Sequence, residues 1–192
     1  MPIQHKNRKA KTYYLHQGTT KTGKPKYFFS LKSEGTLVDI IPDGFEIYEN
    51  PNALVFLRKI PPQIISTDEI RIVKQGMEQF SSVKYYQIDV KKNVIIVYTV
   101  DQDVDIIAEV FAQVPRAKEE GVENLLTQYT TYSPMLQFVL IDQEKRIFVA
   151  QRHGSLWGSI DDWIEIGKPD SLRNLVKKYV QHLEQDSYYG LY

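Results

Sequence analysis

The sequence predicts an α+β fold in which antiparallel β-hairpins alternate with helices, beginning with a β-rich N-terminal unit. Three observations predict it. Apolar, β-branched and aromatic runs come in pairs around short turn-rich stretches, as hairpins require. Between the pairs lie segments with apolar residues at helical spacing and with capping residues at their starts. No long apolar crossovers join the runs, which argues against a doubly wound parallel sheet.

The clearest hairpin spans residues 41–59, IPDGFEIYENPNALVFLRK. Pro42, Asp43 and Gly44 supply a turn: Pro presets φ, Asp bonds its own backbone, and Gly reaches positive φ. Residues 45–49 read as a strand, Asn50-Pro51-Asn52 turn the chain, and 53–59 return. Ahead of it, 12–16 (TYYLH) and 26–31 (KYFFSL) flank the polar loop QGTTKTGKP, which predicts a second hairpin. Residues 1–11 have few apolar groups to bury and read as a tail. Pro61 and Pro62 break the chain. The expected units are 1–62, a small β-rich unit with a basic tail, and 63–192, an α+β unit; one continuous domain is the alternative.

Ser66 and Glu69 make a capping box, followed by Ile70, Val73, Met77 and Phe80 at helical spacing. A hairpin is expected over 83–90 and 93–100. Its second strand, NVIIVYTV, is apolar enough to lie inside a sheet. Helices are predicted over 103–114 and 119–129. A third strand pair is predicted at 135–141 and 146–151, then a short strand at 163–166. Asp170 or Ser171 caps the last helix, whose apolar stripe is Leu172, Leu175, Val176, Tyr179, Val180 and Leu183.

The chain has 192 residues, enough for one domain or two small ones. Net charge is zero, so no polyanion partner is demanded overall. There is no Cys, which excludes disulfides, Cys-ligated zinc, iron–sulfur clusters and thiol nucleophiles. No apolar run of membrane-spanning length and no secretory leader is evident, so a soluble, cytoplasmic protein without membrane contact is expected. The charge is unevenly spread. Residues 1–34 hold eight Lys or Arg and one acid, a balance of +7 against −7 for the rest. A basic arm on an acidic body favours a polyanion partner; folding of the arm against its own body is the competing reading.

Several strings resemble those of a recurring bacterial protein family without an assigned activity. They are Tyr13-Tyr14-Leu15-His16, Gly23-Lys24-Pro25-Lys26-Tyr27-Phe28, residues 41–51, Phe56-Leu57-Arg58-Lys59, and Gly158-Ser159-Ile160-Asp161-Asp162-Trp163-Ile164. Pro169-Asp170-Ser171-Leu172 and Lys177-Lys178-Tyr179 join them. The resemblance covers most of the chain. It implies a bacterial-type soluble protein and carries over no catalytic residue, substrate or cofactor.

Candidate chemistry is thin. Gly18 to Lys24 matches the front of a phosphate-binding loop, but Pro25 stands where Ser or Thr should hold Mg²⁺, and a strand follows instead of a helix. Asp101, Asp103 and Asp105 resemble a calcium loop, yet Ile106 and Ala112 occupy the Gly and Glu positions, so helix-start acids are the better reading. Ser155 lies outside the G-x-S-x-G register, and its segment reads as a loop closed by Trp157. Asp43, Asp89 and Lys91 echo a nuclease pattern at an unsuitable spacing. His5, His16, His153 and His182 are scattered. Asp161 and Asp162, beside Trp157 and Trp163, are the catalytic candidates, although strand neighbours point to opposite faces and a turn or capping role fits better. No metal or cofactor is expected.

The first expectation is therefore a non-catalytic interaction or accessory module with a protein partner. The second is nucleic-acid association through Lys11, Tyr13, Lys21, Lys24, Lys26, Tyr27, Arg58 and Lys59, where Lys and Arg neutralise phosphates and exposed aromatics stack on bases. The third is a carboxylate-dependent enzyme using Asp161 or Asp162. The functional surface is expected where the two N-terminal hairpins meet. Partner identity and oligomeric state are not legible.

Overall fold

The computed structural model describes residues 1–115, 121–156 and 160–192, with the backbone alone at 155, 156, 160 and 161. The expectations at Trp157, Gly158 and Ser159, and at the start of the predicted 119–129 helix, lie outside the described residues. The fold is α+β, with antiparallel sheets and a β-rich start. The chain divides into two compact units, Met1–Pro61 with Gln102–Thr131, and Pro62–Asp101 with Tyr132–Tyr192.

The first unit opens with β1 (Gln4–Lys6), β2 (Thr12–Thr19) and β3 (Pro25–Ser30), an antiparallel sheet in that order. Strand β1 stands where a tail is expected, and the reason is polar. Asn7 is buried, donates to Ala53 O at 2.6 Å and accepts from Lys11 N at 2.8 Å. Glu49 accepts from His5 Nε2 at 3.0 Å and from Arg8 Nε at 2.7 Å. Such bonds order a segment that has little apolar surface. The expected hairpin follows as β4 (Phe45–Glu49) and β5 (Val55–Lys59), a separate two-stranded sheet. Asn50 closes its turn, its Oδ1 accepting from Asn52 N at 3.0 Å and Leu54 N at 2.9 Å. Among the described residues two helices complete the unit, α2 (Val104–Ala112) and α3 (Val122–Tyr129), which lie side by side with Phe111 against Tyr129.

The second unit is a five-stranded antiparallel meander. Its strands are β6 (Tyr86–Lys91), β7 (Val94–Val100), β8 (Tyr132–Asp142), β9 (Ile147–Leu156) and β10 (Ile160–Ser171), adjacent in chain order. As expected, β7 is an interior strand. Strand β10 is longer than the predicted 163–166 because it continues through Gly167 (φ 70°) by a register shift between Ile166 and Asp170. One sheet face packs on α1 (Thr67–Phe80) and α4 (Leu172–Tyr179), burying Val73, Met77, Ile95, Val97, Leu136, Phe138, Phe148, Leu175 and Val176 among others. Alternation puts Leu136, Phe138 and Leu140 on that face together. The predicted capping box is present: Ser66 Oγ accepts from Glu69 N, and Glu69 Oε2 accepts from Ser66 N at 2.8 Å. Ser171 caps α4. No helix among the described residues is long and apolar enough to cross a membrane.

Candidate functional site

The eight residues of the basic-hairpin expectation do not form one face. In the β2–β3 hairpin, Leu15 pairs with Phe29 and Gln17 with Tyr27, whereas His16 pairs with Phe28 and Gly18 with Lys26. Tyr13 and Tyr27 therefore share the side of the fully buried Leu15 and are half-buried, while Lys26 lies on the opposite side with Phe28. Phe28 is 43% exposed and stacks on His16 at 5.4 Å between centroids. Lys21 and Lys24 sit in the exposed hairpin tip, closed by Lys24 N donating to Thr20 Oγ1 at 3.0 Å. No carboxylate pairs with Lys21, Lys24 or Lys26 among the described residues. Lys11 is exposed at the start of β2. Lys9 behaves differently. It donates to Thr130 O at 2.8 Å, and burial, with Lys11 and Arg8 nearby, pulls its ammonium below the usual lysine range.

Arg58 and Lys59 are strand neighbours and so face opposite ways; Lys59 pairs with Phe45, and Arg58 with Glu46. Arg58 is drawn into an arrangement that the basic-patch expectation overlooked. Its guanidinium lies 3.9 Å from the Tyr48 ring centroid and donates to Glu46 Oε1 at 2.9 Å. Tyr48 in turn stacks on its cross-strand partner Phe56, 45% exposed, at 6.3 Å. Glu46, Tyr48, Phe56 and Arg58 thus line one face of the β4–β5 hairpin, and β5 runs beside β3. The signal that finds them in the sequence is cross-strand register: a tight Asn-Pro-Asn turn sets Tyr48 against Phe56.

No family model, no curated protein and no solved structure matches the chain.

Asp161 and Asp162 lie on β10, not in a turn, opposite Ser155 and Gly154 of β9. Asp162 is exposed and its Oδ1 accepts from Trp163 N at 2.7 Å. Trp163 meets His153 edge-to-face at 5.1 Å. The remaining histidines are also engaged: His16 Nε2 with Lys32 O at 2.9 Å, and His182 Nδ1 with Ser187 Oγ at 2.8 Å. Asp103 caps α2, accepting from Asp105 N and Ile106 N at 3.1 Å each. Asp43 falls in the first unit and Asp89 in the second, where Asp89 lies 3.7 Å from Lys91. A cavity of about 310 Å³ in the second unit is lined by Thr99, Asp101, Met135, Glu184, Asp186 and Tyr189 among others. Burial holds the Glu184 carboxyl above its ordinary range. Among the described residues its wall carries no basic side chain.

Proposed function

We propose that the protein is a non-catalytic, cytoplasmic interaction module that docks a protein partner on the Tyr48–Phe56–Arg58 face of the β4–β5 hairpin. The exposed aromatic stack with a guanidinium over it carries this reading. Tyr, Phe and Arg are enriched at protein interfaces, because they bring large, stiff contact area together with a hydrogen-bonding or charged tip. Glu46 neutralises Arg58, which makes the face a poor phosphate site and a better match for a mixed apolar–polar protein surface. Affinity capture from the native host tests it. A protein retained after nuclease treatment, and lost on Phe56→Asp, supports the reading; a hot-spot loss of about 2 kcal/mol corresponds to roughly thirtyfold weaker binding. Retention that does not depend on Phe56 refutes it.

A second reading is favoured by one observation. Lys21, Lys24 and Lys26 are exposed without carboxylate partners among the described residues, and Phe28 stands beside Lys26. This is the composition of a site for single-stranded nucleic acid. Binding that weakens steeply with salt, and again on Lys21/Lys24/Lys26→Ala, supports it; no retention at low salt removes it.

A further inference from the structure

Helix α2 is strongly apolar, VDIIAEVFA, yet buries none of its residues fully. Ile107 and Phe111 lie on the flank that meets α3, through the Phe111–Tyr129 contact at 5.5 Å. Ile106 and Val110 are one helical turn apart on the outer surface, 60% and 56% exposed, and Val114, just past the C-terminal end of the helix, is 36% exposed. Tyr129 of α3 is 57% exposed. Such a stripe is the apolar face of an amphipathic helix without a partner among the described residues. Beside it runs a second stripe, Asp105 and Glu109, offset by one residue and exposed. Asp103 caps the helix, and residues 103–115 contain no Lys, Arg or His.

We infer that this surface of α2 docks an amphipathic helix of a partner protein whose apolar stripe is flanked by lysine or arginine. Ile106 and Val110, one helical turn apart, fit a ridge of another helix, which would pack against the pair formed by α2 and α3. The neighbouring carboxylates fix the charge of the partner, as flanking charges do in paired helices. The inference rests on the reading of the chain as an interaction module, but on residues separate from the β4–β5 face.

The test uses the full chain and a fluorescently labelled synthetic helical peptide with a leucine stripe flanked by lysines, followed by anisotropy. A peptide with glutamate in place of lysine is the control. Expected are binding of the lysine peptide alone, a loss of tenfold or more on Ile106→Asp, weakening with salt, and partial transfer of preference to the glutamate peptide in Asp105→Lys/Glu109→Lys. Ile106 is exposed, so Ile106→Asp keeps the fold, which an unchanged melting temperature verifies. Binding of both peptides alike, or of neither, overturns the inference. So does a sedimentation experiment in which the chain dimerises alone and Ile106→Asp dissolves the dimer, since a second copy would then be the occupant. Phe56→Asp separates this surface from the β4–β5 face: it leaves peptide binding unchanged whether or not host capture fails.

Discussion

Glu69 does two things with one carboxylate. It closes the capping box at the start of α1 and receives the Arg146 guanidinium, whose Nε donates to Oε1 at 2.9 Å while Nη2 also reaches Ile64 O at 3.1 Å. Burial alone would push the carboxyl up; the bonds from Arg146 and Ser66 outweigh it and hold the group below its ordinary range. A carboxyl depressed in the folded state contributes stability above its unfolded value and loses it as pH falls through the folded value. Stability should therefore fall as pH drops below about 4.5, the ordinary glutamate value. Arg146→Ala should cost about 2 kcal/mol at neutral pH and flatten that acid limb, as urea unfolding at several pH values measures. Tyr188 has the opposite sign. Its hydroxyl donates to Met135 O and His153 O, and burial raises the phenol above its usual range. A raised group loses its contribution as pH rises past the unfolded value, about 10 for tyrosine. Tyr188→Phe should cost about 1–2 kcal/mol at neutral pH and remove part of the alkaline loss. Chemical denaturation at pH 7 and at high pH reads both. Neither residue's long-range partner is visible in the sequence. A lone Glu is legible as half of a capping box, but its distant Arg is not. Arg152 is less legible still: it is buried in an apolar strand, with Nε donating to Leu191 O at 2.9 Å and Tyr188 and Tyr192 about it.

Helix α1 meets α4 through Gly76. A Cβ added there would run into Cγ1 of Val176. Alanine is the better helix former, so propensity alone predicts that Gly76→Ala stabilises α1. Close packing predicts the reverse, a loss of about 1–3 kcal/mol from overpacking. The double variant Gly76→Ala/Val176→Ala should recover part of the loss in thermal unfolding; additive losses would place the cost elsewhere. The helices with caps and regular apolar stripes, α1 and α4, were legible because their signals are local. The β4–β5 hairpin was legible for the same reason. Strand β1 was not, because its three polar residues pair with β2 and are held there by Asn7 and Glu49 contacts more than forty positions away. Strand β10 extends beyond the predicted 163–166 because it passes Gly167 and Pro169 by a shifted register that no local pattern reveals. At the candidate surface, Lys21, Lys24 and Lys26 stand out in the sequence by charge, and the structure leaves them exposed. Cross-strand register, which charge alone does not reveal, sets Arg58 against Tyr48.

The whole chain is threaded discontinuously. Residues 102–131 leave the five-stranded sheet between two strands that pair directly, Val100 opposite Tyr132. At the base of the excursion Gln102 and Thr131 clasp each other, Nε2 to Oγ1 at 2.6 Å and Thr131 N to Oε1 at 3.2 Å. Opposed residues of an antiparallel pair are about 5 Å apart, a gap that a two-residue turn spans. Replacing residues 101–131 with Asn-Gly should therefore leave the β7–β8 ladder intact. Hydrogen exchange reads this directly: β7 and β8 amides should stay protected, and their loss would show that the excursion holds the sheet together. Lysine-peptide binding should vanish with it. The same threading sets an order on synthesis. When residue 101 has been made, the first unit still lacks α2 and α3 and the meander still lacks β8, β9 and β10. Neither unit closes on a contiguous stretch: at that point the strands of the first unit's sheets have all been made, but β7 presents an edge still waiting for β8. Ribosome-stalled lengths ending near residue 101 are thus the ones expected to engage chaperones most strongly, and lengths past residue 142, with β8 added, less so.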